Sequence, residues 1–113
     1  MKVYDVSKLA SMEKTREYVL GSKALDTHAC YLIYGSMEPA EKGRLLRPGS
    51  GHEEIVCVVS GSAVVRGAGE GVELGAGQAV HLRGEQAMHM DNASDSEPLV
   101  YVAAGGHSEP HSH

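Results

Sequence analysis

The sequence predicts an all-β fold, a sandwich or a barrel of short strands. Short apolar runs recur at close spacing, each closed by glycine or another turn former. The 14 glycines mark many tight turns between them. The stretch from Gly51 to Gly61 shows the pattern most clearly: an acidic pair, Glu53 and Glu54, runs into Ile-Val-Cys-Val-Val and stops at Ser-Gly.

Residues 3–19 are mixed, and Ser11-Met12-Glu13-Lys14 reads as the cap of a short helix. Strand patterning begins after Thr27. Residues 30–34 form the first run, ended by Gly35-Ser36, and residues 37–43 read as a loop. Residues 44–47 form a strand that leads into Pro48-Gly49-Ser50-Gly51. Residues 54–59 are the strongest strand, followed by strands at 63–66, 72–74 and 78–82. A further segment covers 86–91, residues 92–96 make a polar turn, and 99–103 is the last strand. The organisation expected is an arm over residues 1–26, a barrel over 27–104, and a polar tail over 105–113. Closing such a sheet removes exposed edges.

At 113 residues the chain makes one small domain with a modest core. That core draws on Val, Leu, Ile, Ala and Met, because the chain has no Trp or Phe and five Tyr. A net charge of −5, with basic residues scattered, argues against nucleic acid as a partner. No apolar run reaches the length of a bilayer span, and the first ten residues lack a signal-peptide core. The expectation is a cytoplasmic protein with no membrane contact. Cys30 and Cys57 are too few for a disulfide framework and read as reduced, packed side chains. Cys57 has the opposite parity to Glu54, so a straight strand points it away.

In a strand, side chains at i and i+2 share a face. His52, Glu54, Val56 and Val58 therefore point one way, and a His with a carboxylate at the mouth of an apolar face reads as a site. On these residues the chain resembles a small single-domain cupin, a double-stranded β-helix (jelly-roll) barrel. Two motifs spanning roughly residues 43–92 carry the resemblance. In the first, Glu54 and Gly61 stand at the family spacing; in the second, Gly77 and Asn92 do. The resemblance implies a divalent metal, Mn, Fe, Ni or Zn, held by two His, a Glu and a further His. Pro48 and Ser50 (or Arg47 and Gly49) occupy the first His pair, and Met88 occupies the last position. Arg83 and Glu85 replace the Pro and Gly of the second motif, and only Glu54 remains of the ligands.

A nonstandard ligand set can be assembled from neighbouring residues. His52 shares the parity of Glu54. His89 lies one residue from the family position, and a one-residue bulge would turn it inward. Without the bulge, Met88 faces inward and His89 outward. His81, on the preceding strand, is a fallback. The expected metal set is thus His52, Glu54 and His89, with His81, set against structural roles for each histidine. A buried Glu54 needs a partner: a metal, Arg44 or Arg47, or a protonated His. Glu53 reads as solvated, and Asn92 as a turn former. His107, His111 and His113 lie in the tail. They suit weak Ni²⁺ or Zn²⁺ binding, a plain polar end, or a segment folded over a barrel mouth.

Three functions follow. The first is a metal-dependent small-molecule enzyme like the dioxygenases, isomerases and lyases of the cupins, with Tyr31 or Tyr34 as acid/base or simply as packing. The second is a noncatalytic module binding a small molecule, with Arg44, Arg47 or Arg83 pairing an anion. The third is a structural role as a homodimer, compatible with either.

Overall fold

The computed structural model describes residues 1–107. Alternation of apolar and polar residues produces nine strands among them: β1 (Glu17–Leu20), β2 (Cys30–Met37), β3 (Arg44–Leu46), β4 (His52–Ser60), β5 (Ser62–Gly67), β6 (Glu70–Gly75), β7 (Ala79–Arg83), β8 (Met88–Asn92) and β9 (Leu99–His107). One sheet has the order β1-β2-β9-β4-β7 and the other β3-β8-β5-β6, every pairing antiparallel. This is the expected all-β jelly roll.

The core lies between the sheets. Val56, Val58, Leu82, Leu99, Tyr101 and Ala103 of the first meet Leu46, Ala63, Val65, Leu74, Met88 and Met90 of the second. Period two is visible in β4, where Glu54, Val56 and Val58 are buried while Ile55 is exposed. Gly61 turns β4 into β5 with φ +86°, and a Cβ there would press on Leu99 Cα at 3.1 Å. A side chain at this family position is excluded both by backbone conformation and by space.

The structure differs from the sequence expectations at both ends of the described chain. The first helix, α1, covers Val6–Ser11 and ends where the sequence suggested a beginning. Asp5 is its cap, accepting from the Lys8 backbone N–H at 3.1 Å. A strand not foreseen, β1, then pairs with β2 from Glu17↔Gly35 to Leu20↔Leu32, so residues 17–20 extend the larger sheet. One helical turn, α2 (Ser22–Leu25), follows. Gly35-Ser36 does not end β2, which continues to Met37. Nor does β9 stop at Ala103: Gly105, Gly106 and His107 stay in register with Glu54, Glu53 and His52 of β4. His107 therefore belongs to the sheet, while His111 and His113 lie outside the described residues. No helix among the described residues is long and apolar enough to cross a membrane.

Asn92 does more than make a turn. It is buried at the end of β8, donates to the carbonyls of Glu38 and Glu97 at 2.9 Å each, and accepts from the Ser94 N–H at 2.9 Å. These bonds join the end of β2 to the loop entering β9. They satisfy an amide that would be costly to bury alone.

Candidate functional site at one end of the barrel

The register brings Tyr31 of β2, Gly105 of β9 and Glu54 of β4 into one row. Gly105 has no side chain, so the Tyr31 ring crosses it and its hydroxyl donates to Glu54 Oε1 at 2.8 Å. A Cβ at Gly105 would collide with Tyr31 Cζ and Oη and would lie 2.7 Å from the Glu53 carbonyl oxygen. The mirror arrangement stands four residues along the same strand pair. There Tyr101 of β9 crosses Gly35 of β2, and a Cβ on Gly35 would lie 2.8 Å from Tyr101 Cε1. The Tyr101 hydroxyl donates to Glu17 and accepts from Arg44 Nη1 at 3.0 Å. Glycine here lets an aromatic ring span a strand and carry a hydroxyl to a carboxylate.

Glu54 is only 4% exposed. Burial pushes its carboxyl above the ordinary value of 4.5. The Tyr31 hydrogen bond pulls the other way, the charge of Glu17 adds to the rise, and His52 opposes it. The Tyr31 hydroxyl is itself pushed well up, first by burial and then by its bond to Glu54 and that group's charge. Both groups thus hold protons more firmly than they would in water. Glu54 Oε1 has the Tyr31 bond. No buried side-chain oxygen or nitrogen among the described residues lacks a partner, and Oε2 makes no bond to another described residue.

One step further along, His52 of β4 pairs with His107 of β9, and their rings lie 4.7 Å apart at 34°. His28, in the bend before β2, meets His107 edge-on at 6.4 Å, and Tyr31 meets His52 at 6.1 Å. His52 Nδ1 lies 3.1 Å from the Ser50 carbonyl oxygen. A carbonyl only accepts, so Nδ1 carries a hydrogen, and in the neutral ring Nε2 presents a lone pair. A cavity of about 170 Å³ opens here, lined among others by His28, Cys30, Tyr31 and His52.

Of the four residues expected to ligate a metal, the structure brings His52 and Glu54 to the inner face at this end of the barrel, and leaves His81 and His89 on outer faces. His81 stands on the outer face of β7 and contacts Glu53 Oε1 at 2.6 Å. β8 runs without a bulge, so Met88 and Met90 are buried and His89 turns outward opposite Leu45 and Arg66. Glu53 is accordingly paired rather than merely solvated. The partner of Glu54 is neither Arg44 nor Arg47. Arg44 is engaged with the Ser36 carbonyl at 2.8 Å, Glu41 at 3.2 Å, Tyr101 and the Thr15 carbonyl. Cys57 is half-buried with outward parity, while Cys30 is exposed rather than packed. Sequence reasoning passed over His28 and Gly105, and gave Tyr31 no partner. The glycine pair at 105–106 inside a β-parity run was the available signal.

No protein-family model and no curated protein matches the sequence. Solved structures do match. The architecture is that of a double-stranded β-helix, as in a Klebsiella pneumoniae protein described by that domain (TM-score 0.71, 17% identity, covering 98% of this chain and 94% of that one). The fold is, more narrowly, that of a small cupin domain. It is shared with a cupin protein of Bacteroides fragilis (TM-score 0.66, 17% identity, 90% and 85% covered). The Cupin_2 domain of an XRE-family transcriptional regulator from Enterobacter cloacae is also similar (TM-score 0.67, 20% identity, 82% and 98% covered).

The cupin fold implies a metal between the two motifs. The residues present there do not fit one. Met88 contributes a buried thioether to the core, Pro48 and Ser50 offer no imidazole, and one oxygen of the Glu54 carboxyl is occupied by the Tyr31 hydroxyl. Among the described residues no three His, Cys, Asp or Glu side chains are arranged as a metal site. No chemical step is routed through a metal at that position.

Proposed function

We propose that this cupin-fold protein binds a small polar molecule at the Tyr31–Glu54–His52 end of its barrel. The observation that carries the reading is the part-buried Tyr31–Glu54 pair, with the His52 ring edge-on to Tyr31 at 6.1 Å. A carboxyl at 4% exposure is costly to maintain unless something uses it. The groups on offer, Glu54 Oε2 and His52 Nε2, are acceptors. They favour a ligand that brings N–H or O–H donors, an amine or a polyol, over an anion. Of the arginines that could pair an anion, Arg44 is taken by other partners, Arg83 lies exposed on the outer parity of β7, and Arg47 is exposed after β3. The cavity of about 170 Å³ that Tyr31 and His52 line beside this pair sets the scale of the ligand.

The test is a protein-observed NMR screen of metal-free protein with small amines, polyols and carboxylates. Amines or polyols are expected to shift the amides of Tyr31, His52 and Gly105, with the response lost in Tyr31→Phe and Glu54→Gln. Shifts confined to the outer face around Glu53 and His81, or a preference for carboxylates, would count against the reading.

A further inference from the structure

We infer that the cleft between β6 and β7 binds a compact aromatic molecule on the scale of a benzene ring, beside a position where the cupin fold implies a metal ligand. β6 ends one sheet and β7 ends the other, and among the described residues no backbone pairing joins the two. The barrel is open along this seam. Val72 lies opposite Val65 across β6 and β5, and Val80 lies opposite Val56 across β7 and β4. Directly opposed residues share a face, so Val72 and Val80 point inward with the buried Val65 and Val56. Val72 is nevertheless 43% exposed. It stands at the mouth of a cavity of about 160 Å³, whose wall is made by the buried Val65, Leu82 and Met88 together with Val80.

Size and lining define the ligand. A dry apolar cavity of about 150 Å³ holds benzene, and this one is of that size. The polar residues that border it, Glu70, His81 and Gln86, are exposed, while its buried wall is apolar. An ion or a sugar would lose hydration against that wall without gaining a partner. Met88 stands where the family pattern has a His. A Cβ on Gly67 would lie 2.6 Å from the Met88 sulfur, so that glycine leaves room for the thioether. A flexible, polarisable thioether packs well against an aromatic edge, which favours a ring over an aliphatic group of equal volume. The residue that removes a metal ligand thus supplies the pocket with its aromatic contact. The inference is independent of the polar site. The row Tyr31–Gly105–Glu54 continues to Leu82 at the free edge of β7, so Tyr31 stands three strands away from the cleft.

Methyl-labelled protein is titrated with benzene and followed by ¹H–¹³C NMR. The Met88 ε-methyl and the methyls of Val65, Val72 and Val80 are expected to shift together and to saturate as one site. Met37, beside Asn92 at the other end of β8, should not move. Val72→Phe fills the mouth from an edge position and should weaken binding by about tenfold or more. Tyr31→Phe should leave it unchanged. Cyclohexane should bind more weakly than benzene, and Met88→Leu, which keeps the volume, should erase that preference. The Met88 and valine shifts of the unsubstituted protein keep the test valid if a variant misfolds. No saturable Met88 shift up to the solubility of benzene would overturn the inference. So would binding indifferent to Val72→Phe, equal binding of cyclohexane, or shifts confined to Ile55 and Val59 on the outer face. The polar screen uses other probes and the Tyr31 and Glu54 variants, so failure there is separable from failure here.

Discussion

Burial raises the proton affinity of Glu54 in the folded chain, while the unfolded chain titrates near the ordinary value of 4.5. Between those two limits the native state binds more protons than the unfolded state, so stability falls as pH rises. The contribution is fully present below the unfolded value and is lost as pH climbs through the folded one. Glu54→Gln removes the titration and keeps an acceptor for Tyr31. Urea midpoints measured from pH 4.5 towards neutrality should decline for the native protein relative to the Gln variant. Parallel profiles would contradict the assignment. The burial of Glu54 was legible in the sequence, because parity with Val56 and Val58 places it inside. Its partner was not. Tyr31 reaches Glu54 only through the joint register of β2, β9 and β4, a long-range property that one strand's pattern does not encode.

At the level of elements, strands bounded by polar turns were readable, and β3 to β8 fall close to where periodicity put them. Those misjudged share a cause. Glycine in sequence signals a turn, yet Gly35, Gly105 and Gly106 lie within β2 and β9. Two of them are covered by tyrosine rings from the neighbouring strand. Gly105→Ala should therefore act as an overpacking mutation, costing about 1–3 kcal/mol. Only the part due to the ring should disappear when it is also removed, in Tyr31→Ala/Gly105→Ala, because the Glu53 carbonyl oxygen at 2.7 Å still meets the new Cβ. Chemical denaturation of the two single variants and the double variant measures the coupling, and additive losses would show that the ring does not sit over the glycine. β1 escaped notice for a different reason: four residues at a sheet edge carry too little alternation to read. His52 was found by parity, whereas His28 lies outside any strand and only the tertiary fold brings it to His107.

Across the whole molecule, the inner faces of the two sheets close a core, and the outer face of the larger sheet is left apolar. Leu32, Tyr34, Val100, Val102 and Cys57 are half-buried there, and Ile55 and Val59 remain 53% and 52% exposed. The polar group Glu53, His81 and Arg83 borders this surface at one end. An apolar centre with a polar rim is the anatomy of a protein interface, and an antiparallel sheet face pairs with its own copy about a two-fold axis. Two chains are expected to associate through it. Sedimentation velocity at micromolar concentration should report a dimer that Ile55→Lys converts to monomer. A monomeric native protein would remove the homodimer from consideration.

The position of β9 bears on how the molecule comes into being. It is the last described strand in sequence, yet it lies between β2 and β4 and pairs with both along most of its length. The larger sheet cannot zip up hairpin by hairpin as synthesis proceeds, because its third strand in space is delivered after all the others. Until then β2 and β4 each display a row of unpaired backbone groups, the template on which foreign strands add. Closure must wait for contacts distant in sequence, which places refolding among the slower small domains. The interval between release of β8 from the ribosome and insertion of β9 is therefore when this chain has most need of a chaperone.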